Sequence, residues 1–137
     1  TANPHLASSE GVGLDLLSRR KLVLFWRNLM LINITIQTFI SQNELELSVS
    51  RWDQVKHEHM PKLHNLGLER YTTSRIWNQK EKHQLAHIFE YKDQNSMEAC
   101  LPIWGSIEKL WREKITNKTQ SFRGVQIDCL DAANTDG

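Results

Sequence analysis

Residues 57–71, HEHMPKLHNLGLERY, decide the fold of this chain. The first part continues an amphipathic helix and carries Pro61 in its last turns. Asn65 and Gly67 are residue types that end helices, because both tolerate the left-handed conformation found there. A strand is predicted to begin close behind them, at about Arg70. The stretch therefore predicts a helix joined to a strand by a tight turn.

An alternating segment precedes this helix. Ile32, Ile34 and Ile36 are separated by polar residues, which is the period of a β-strand. Ser41 and Glu44 then have the spacing of a capping box, in which both side chains can bind free amides at a helix start. Apolar residues recur after it at every third or fourth position, as on the buried face of a helix. The pattern predicts strand one followed by a long first helix.

The rest of the chain predicts two paired strands, a second helix and a last strand. A short polar connection joins strands two and three as a hairpin. The second helix opens near Asp93, and Pro102 and Gly105 are expected to break it into two pieces. The predicted strands two, three and four cover residues 70–78, 83–92 and 122–130.

This order of elements, β-α-β-β-α-β, is the ferredoxin-like arrangement of the α+β class. It has a four-stranded antiparallel sheet with both helices on one face. The uncovered face would carry either the isoleucines of strand one or the aromatic residues of strands two and three. Neither set is stable in contact with water over a whole sheet face. A second copy of the sheet is the simplest cover, so the chain is predicted to form a homodimer through the sheet face.

The domain is predicted to span residues 30–131, because Met30 immediately precedes strand one. Residues 1–29 have no continuous helical or strand period and are expected to be a tail or extension outside the core. Residues 132–137 are expected to form a short solvated tail.

Composition excludes several functional classes. The 137 residues include 17 Lys and Arg against 16 Asp and Glu, so no overall field selects for nucleic acid or an anionic membrane. The apolar run at residues 22–26 is too short to span a membrane or to serve as a signal peptide. Cys100 and Cys129 lie far apart with no metal-binding spacing, as is typical of reduced thiols. A cytoplasmic protein without a metal site, and without nucleic-acid or membrane partners, is predicted.

Three segments resemble the dimeric α/β-barrel superfamily: His59-Met60-Pro61, the turn at residues 67–71, and His87-Ile88-Phe89-Glu90-Tyr91. The similarity covers about residues 30–130 and is greatest to EthD-like and NIPSNAP-like proteins. Antibiotic-biosynthesis monooxygenases and stress-responsive A/B barrel proteins are more distant. The resemblance implies two sheets paired into a barrel and a pocket between sheet and helices. Characterised members of this superfamily include cofactor-free oxygenases, lactone isomerases, polyketide cyclases and haem-degrading enzymes.

Two histidines compete for a role in this pocket. His57 and His59 are about 200° apart around a helix, so they point to nearly opposite sides. His59 shares the buried stripe with Trp52 and Leu63, whereas His57 should face solvent. A buried imidazole can act as a general base near neutral pH, although most buried histidines are hydrogen-bonded core residues. The resemblance itself leaves either histidine as the equivalent of the family's.

Strands two and three also carry candidate ligand contacts. Tyr71, Arg75 and Trp77 share one strand face, and His87 and Tyr91 share another. Tyrosine and arginine can hold a carbonyl or enolate oxygen, and tryptophan can form an apolar wall. The alternative is that the aromatic residues are sheet core and that Arg75 makes an ion pair.

The first functional hypothesis is a small-molecule-binding protein. It would be an enzyme of oxygenase, isomerase or cyclase type, acting without a cofactor on an activated carbonyl or aromatic compound. A non-catalytic dimerisation or ligand-sensing module is the second hypothesis, and a haem-binding protein is the third. The chain has no Gly-rich phosphate loop, GxSxG or HExxH motif. The candidate catalytic residues are His59, Tyr71 and Arg75, and the candidate ligand-binding residues are Trp52, Trp77, His87 and Tyr91.

Overall fold

The computed structural model describes residues 29–112 and 115–134. Four strands and two long helices follow one another as β-α-β-β-α-β, and a short 3-10 helix comes last, at Ala132–Asn134. This order confirms the predicted ferredoxin-like α+β fold. Residues 1–28 of the predicted N-terminal tail lie outside the described residues. Residues 135–137 of the predicted C-terminal tail also lie outside them. The elements are β1 Leu31–Phe39, α1 Gln42–Asn65, β2 Leu68–Ile76, β3 His83–Tyr91, α2 Gln94–Arg112 and β4 Asn117–Val125.

The sheet is antiparallel throughout, with the strand order β2-β3-β1-β4. Strands β1 and β3 are therefore central, and β2 and β4 are edges. Side chains of a strand alternate between the two faces. Odd-numbered residues of β1, β3 and β4, and those of β2 from Tyr71 onward, face the helices. The isoleucines of β1 lie on the opposite face, which no helix or strand among the described residues covers.

The hydrophobic core between sheet and helices is divided into two clusters. One surrounds Leu31 at the start of β1 and includes Leu63 and Cys100. The other surrounds Phe39 at the end of the same strand and includes Leu45 and Ile107. Between them β1 presents polar residues to the helices. The core is thus interrupted at the middle of the sheet, and this interruption positions the candidate site.

The first helix begins as predicted. Ser41 has an extended backbone, and its hydroxyl accepts a hydrogen bond from the Glu44 amide at 3.1 Å. The Glu44 half of the predicted capping box is not seen, since Oε2 of Glu44 is buried without a hydrogen-bond partner among the described residues. The helix continues through Pro61 and ends at Asn65, also as predicted. Within the described residues, no helix is long and apolar enough to cross a membrane.

The predicted break in the second helix is wrong. Helix α2 runs without interruption from Gln94 to Arg112, although it contains Pro102 and Gly105. Both residues are exposed. The hydrogen bond that proline cannot make is therefore lost on the solvent side, where water can replace it. The opposite side of the helix stays anchored because Ile107 is buried in the core.

The boundaries of β4 were also predicted wrongly. The strand covers Asn117–Val125 rather than residues 122–130. Its first half is polar and pairs with β1, with Asn117 opposite Phe39. Apolar residues beyond the strand, such as Ile127 and Leu130, are exposed. An edge strand buries few side chains, so the apolar pattern did not mark it.

Replacing Gly67 with alanine is expected to destabilise the fold by about 3 kcal/mol. Gly67 has a φ of 111°, which strains any other residue, and a Cβ there would overlap the Ser96 side chain. The same change at Gly105, where nothing lies within 4 Å, should stabilise α2 by up to about 1 kcal/mol. Urea unfolding of both variants measures the difference. Equal effects at the two positions would contradict this account of the turn.

Candidate functional site

A cavity of about 710 Å³ lies between the helix-facing side of the sheet and the two helices. All four strands contribute to its floor. The floor is polar at its centre, where Asn33, Thr35 and Gln37 of β1 project toward the helices. Sheet faces covered by helices are normally apolar. The polar floor under two helices makes this cavity the candidate functional site.

Aromatic side chains form the other wall of the cavity. Trp52 of α1 and Trp104 of α2 have ring centroids 5.8 Å apart. Trp104 also packs at 5.3 Å from Tyr71 and at 5.0 Å from Phe89. Trp52 meets Tyr71 edge to face at 5.5 Å. A wall of this kind is suited to contact a planar apolar group, since aromatic rings stack or meet edge to face at these distances.

A chain of hydrogen bonds crosses the cavity floor from β2 to β1. The Tyr71 hydroxyl lies 2.7 Å from Nδ1 of His87, and Nε2 of His87 lies 2.8 Å from Oε1 of Gln37. The Thr73 hydroxyl is a second neighbour of Nδ1, at 3.3 Å. These partners assign the neutral tautomer of His87, in which Nε2–H donates to Gln37 and Nδ1 accepts from Tyr71.

Burial keeps both ring systems neutral. It lowers the pKa of His87 to about 4 and raises the pKa of Tyr71 to about 12. In each case the cause is removal from water, which disfavours the charged form. At neutral pH the site therefore offers a hydroxyl and an uncharged imidazole. This pair can donate to a ligand oxygen or accept an acidic proton from a ligand.

The structure brings five of the seven predicted site residues to this cavity. Trp52, Tyr71, His87 and Tyr91 line it, and so does Arg75. The Arg75 guanidinium lies 3.9 Å from Glu46, and both side chains are about half exposed. Tyr91 is also part of the hydrophobic core. Arg75 therefore belongs to the solvent-exposed margin of the cavity, away from the hydrogen-bonded chain on its floor.

His59 and Trp77 are not among the residues that line the cavity. His59 is half-buried, but the cavity side of α1 is formed by Val49, Lys56 and Met60. Adjacent helix residues differ by about 100° in direction, so Met60 can face the cavity while His59 does not. Trp77 follows the last residue of β2 and is 88% exposed.

Sequence reasoning missed three contributors. Gln37 and Thr73 bind the His87 ring, and Trp104 forms part of the aromatic wall. The alternation of β1 did place Gln37 on a face with other polar residues. It could not show which face the helices would cover. Trp104 has the helical spacing of a core residue, and that spacing does not distinguish a core from a cavity wall.

The buried neutral His87 predicts a pH-dependent stability. In the unfolded chain it binds a proton below its ordinary pKa of 6.5, whereas the folded protein keeps it neutral down to about 4. The free energy of unfolding is therefore expected to fall as the pH drops from about 6.5 to 4, by roughly 3 kcal/mol. Chemical denaturation across this range measures the loss. His87→Gln should remove that part of the slope, and an unchanged slope would contradict the burial of the ring.

Comparison with known proteins shows the family to which the chain belongs. The family model described as a domain of unknown function, DUF6974, matches residues 28–126. The chain belongs to this family. No protein of curated function matches this DUF6974 member in sequence. Within the described residues, no three His, Cys, Asp or Glu side chains are arranged to hold a metal ion.

Solved structures similar to this DUF6974 chain share its fold. A dimeric ferredoxin-like protein from an uncultured marine organism is 30% identical, with a TM-score of 0.67, covering 74% of this chain and 98% of that one. A second dimeric ferredoxin-like protein from an uncultured marine organism is 20% identical, with a TM-score of 0.70. The match covers 74% of this chain and 99% of that one. SnoaB, a cofactor-independent oxygenase from Streptomyces nogalater, is 12% identical, with a TM-score of 0.50, covering 73% and 96%.

Proposed function

We propose that this protein binds a small planar molecule in the cavity between sheet and helices, with a ligand oxygen held at Tyr71 and His87. The observation that carries this proposal is the hydrogen-bonded chain of Gln37, His87 and Tyr71 beneath an aromatic wall. Polar groups inside a fold cost free energy unless they are satisfied or used. A few polar groups converging in an otherwise apolar cavity are typical of ligand sites.

The chemistry proposed for this site is proton transfer without a cofactor. Nδ1 of His87 would take an acidic proton from an activated carbonyl or phenolic compound. The Tyr71 hydroxyl would turn to donate to the oxygen on which negative charge develops. A bound anion would also raise the pKa of His87, because opposite charges stabilise each other in a site removed from water. The resulting carbanion or phenolate would be the reactive species for isomerisation, cyclisation or oxygenation. The oxygenase activity of SnoaB makes oxygen consumption a useful readout.

A ligand-sensing protein without catalysis is the second candidate. One observation favours it: burial moves the pKa of His87 to about 4 and that of Tyr71 to about 12. Both values lie far from neutral pH, which makes the free site a weak acid and a weak base. Such groups are better suited to holding a ligand than to turning it over.

We also propose that two copies of the protein form a homodimer by packing their uncovered sheet faces together. Ile34 and Phe122 are 38% and 53% exposed on the uncovered face, and they lie opposite each other in the β1–β4 register. Ile88 of β3 flanks Ile34 on its other side. Two similar solved proteins are dimeric, which supports this use of the face. Kinship to EthD-like and NIPSNAP-like families and a cytoplasmic location stay predictions from the sequence.

A ligand screen tests the proposal. Small aromatic and β-dicarbonyl compounds are added to protein that carries Trp26→Phe, Trp77→Phe and Trp111→Phe together. Quenching of the two remaining tryptophans, Trp52 and Trp104, reports binding. Consumption of compound or of oxygen is followed in parallel. We expect saturable quenching by planar compounds that carry an acidic hydroxyl or carbonyl group. Absence of quenching by the whole panel would contradict the proposal. Quenching without consumption would select the sensing function.

A further inference from the structure

A second chain of polar side chains lies on the cavity floor, on β1 and β4. Nε of Arg123 donates to Oδ1 of Asn33 at 3.0 Å, and Nδ2 of Asn33 donates to the Thr35 hydroxyl at 2.9 Å. The hydroxyls of Thr35 and Ser121 are 2.8 Å apart. All four residues line the cavity. Asn33 is only 7% exposed, so it anchors Arg123 on a buried group.

Arg123 differs from the other cations of the cavity. Lys56 lies 2.6 Å from Asp53, and Arg75 lies 3.9 Å from Glu46. Within the part of the chain that the structure describes, no carboxylate is paired with Arg123. Its bond to Asn33 uses Nε alone, and the two terminal amino groups of the guanidinium make no hydrogen bond to the described residues. A guanidinium held in this way is prepared to bind an anion.

The charge of Arg123 also acts inside the cavity. Burial raises the pKa of Tyr91, and the positive charge of Arg123 opposes that rise. The guanidinium is therefore within electrostatic reach of a core residue that lines the cavity. An anion bound there would contact the Arg123 guanidinium and the neighbouring hydroxyl groups of Thr35 and Ser121. This set matches a carboxylate with a single negative charge better than a phosphate, which usually takes more cationic or amide donors.

The sheet register gives the distance between the two polar groups. Tyr71, Phe89, Asn33 and Arg123 lie side by side in one row across the four strands. Neighbouring strands are about 4.8 Å apart, so roughly 14 Å separates the backbones of Tyr71 and Arg123. Phe89 lies between them on the floor, and Trp104 packs against it. The row is therefore aromatic beside Tyr71 and polar beside Arg123, where Asn33 holds the guanidinium.

We infer that the ligand is an elongated aromatic carboxylate, with its carboxylate at Arg123 and its hydroxyl or carbonyl oxygen at Tyr71 and His87. This inference rests on the proposed function, because it assigns the ligand class of the same cavity. The aromatic part of the ligand would lie between these two ends, against the wall formed by Trp52 and Trp104.

A matched pair of probes tests the inference: para-hydroxybiphenyl carboxylate and its methyl ester, followed by tryptophan quenching. The wild-type protein should bind the acid at least about tenfold more tightly than the ester, the effect of one charge-assisted pair. Arg123→Gln should bind both with equal affinity, and Arg123→Lys should regain part of the preference. Arg75→Gln is the control, since it removes a cavity arginine that is close to a carboxylate, and it should keep the preference.

The outcomes separate the two proposals. Equal binding of acid and ester by the wild-type protein would overturn the carboxylate site and leave the proposed function standing. Loss of the preference in Arg75→Gln rather than Arg123→Gln would also overturn it, because the anion would then bind at the cavity margin. If neither probe binds and the wider panel also fails, the cavity is not a ligand site and both proposals fail. Thermal midpoints of all variants check that each protein is folded.

Discussion

Tyr71→Phe is expected to weaken ligand binding by about 10- to 100-fold, the cost of losing one buried hydrogen bond to the ligand. The substitution removes a single oxygen and retains the ring that packs against Trp52 and Trp104. The aromatic wall should therefore survive, and the loss reports the hydroxyl alone. Titration of the tightest compound of the panel measures it.

His87→Gln separates catalysis from binding in the same assay. Glutamine keeps hydrogen-bonding capacity toward Gln37 but has no basic nitrogen. If the protein is an enzyme, turnover should fall by about 10²- to 10⁴-fold while affinity changes only a few-fold. If it is a sensor, the affinity change is the only effect.

His59→Ala and His57→Ala are the controls for this site. Neither residue lines the cavity, so each is expected to change affinity and turnover by less than about twofold, the scale of an ordinary surface change. A large loss in His59→Ala together with normal Tyr71→Phe and His87→Gln proteins would move the site to the other flank of α1.

Ile34→Asp is expected to convert the proposed dimer to monomers at micromolar concentration. Ile34 lies at the centre of the uncovered sheet face, between Ile88 and Phe122 in the two registers. A carboxylate buried between two apolar sheets without a partner costs several kcal/mol, which corresponds to a dissociation constant raised by at least about 10³-fold. Sedimentation equilibrium measures the change. Ile127→Asp is a matched control, because Ile127 is half exposed beyond β4, and it should stay dimeric. A monomeric wild-type protein at the same concentration would defeat the pairing.

The fold was predictable because its signals are local. The Ser41 cap, the end of α1 at Asn65 and the hairpin between β2 and β3 depend on neighbouring residues, and the structure has them close to where the sequence placed them. The two errors have a common cause. Pro102 is tolerated within α2, and the polar start of β4 forms a strand, because tertiary contacts outweigh local preference.

The candidate site was predictable only in part. Strand period put Tyr71 and His87 on defined faces, but the choice of the face covered by helices is a property of the whole fold. Helix phase placed His57 outward, where it is exposed. It also placed His59 on the buried side, whereas Met60 lines the cavity and His59 does not, because the apolar stripe of α1 is broad and the cavity meets only one of its edges. Gln37 carried no signal of its own, since a polar residue in a strand usually faces solvent.

Selective ¹⁵N labelling of the histidine rings gives the most direct measurement of the central claim, that ligands bind at His87. The protein contains six histidines, and His87 is identified by the loss of its signals in His87→Gln. The tightest compound of the panel is then titrated at neutral pH. We predict that the Nδ1 signal of His87 shifts most, since its bond to Tyr71 is exchanged for a new one, while His57 and His59 stay unchanged. Saturable binding that leaves both ring nitrogens of His87 unchanged would contradict the account.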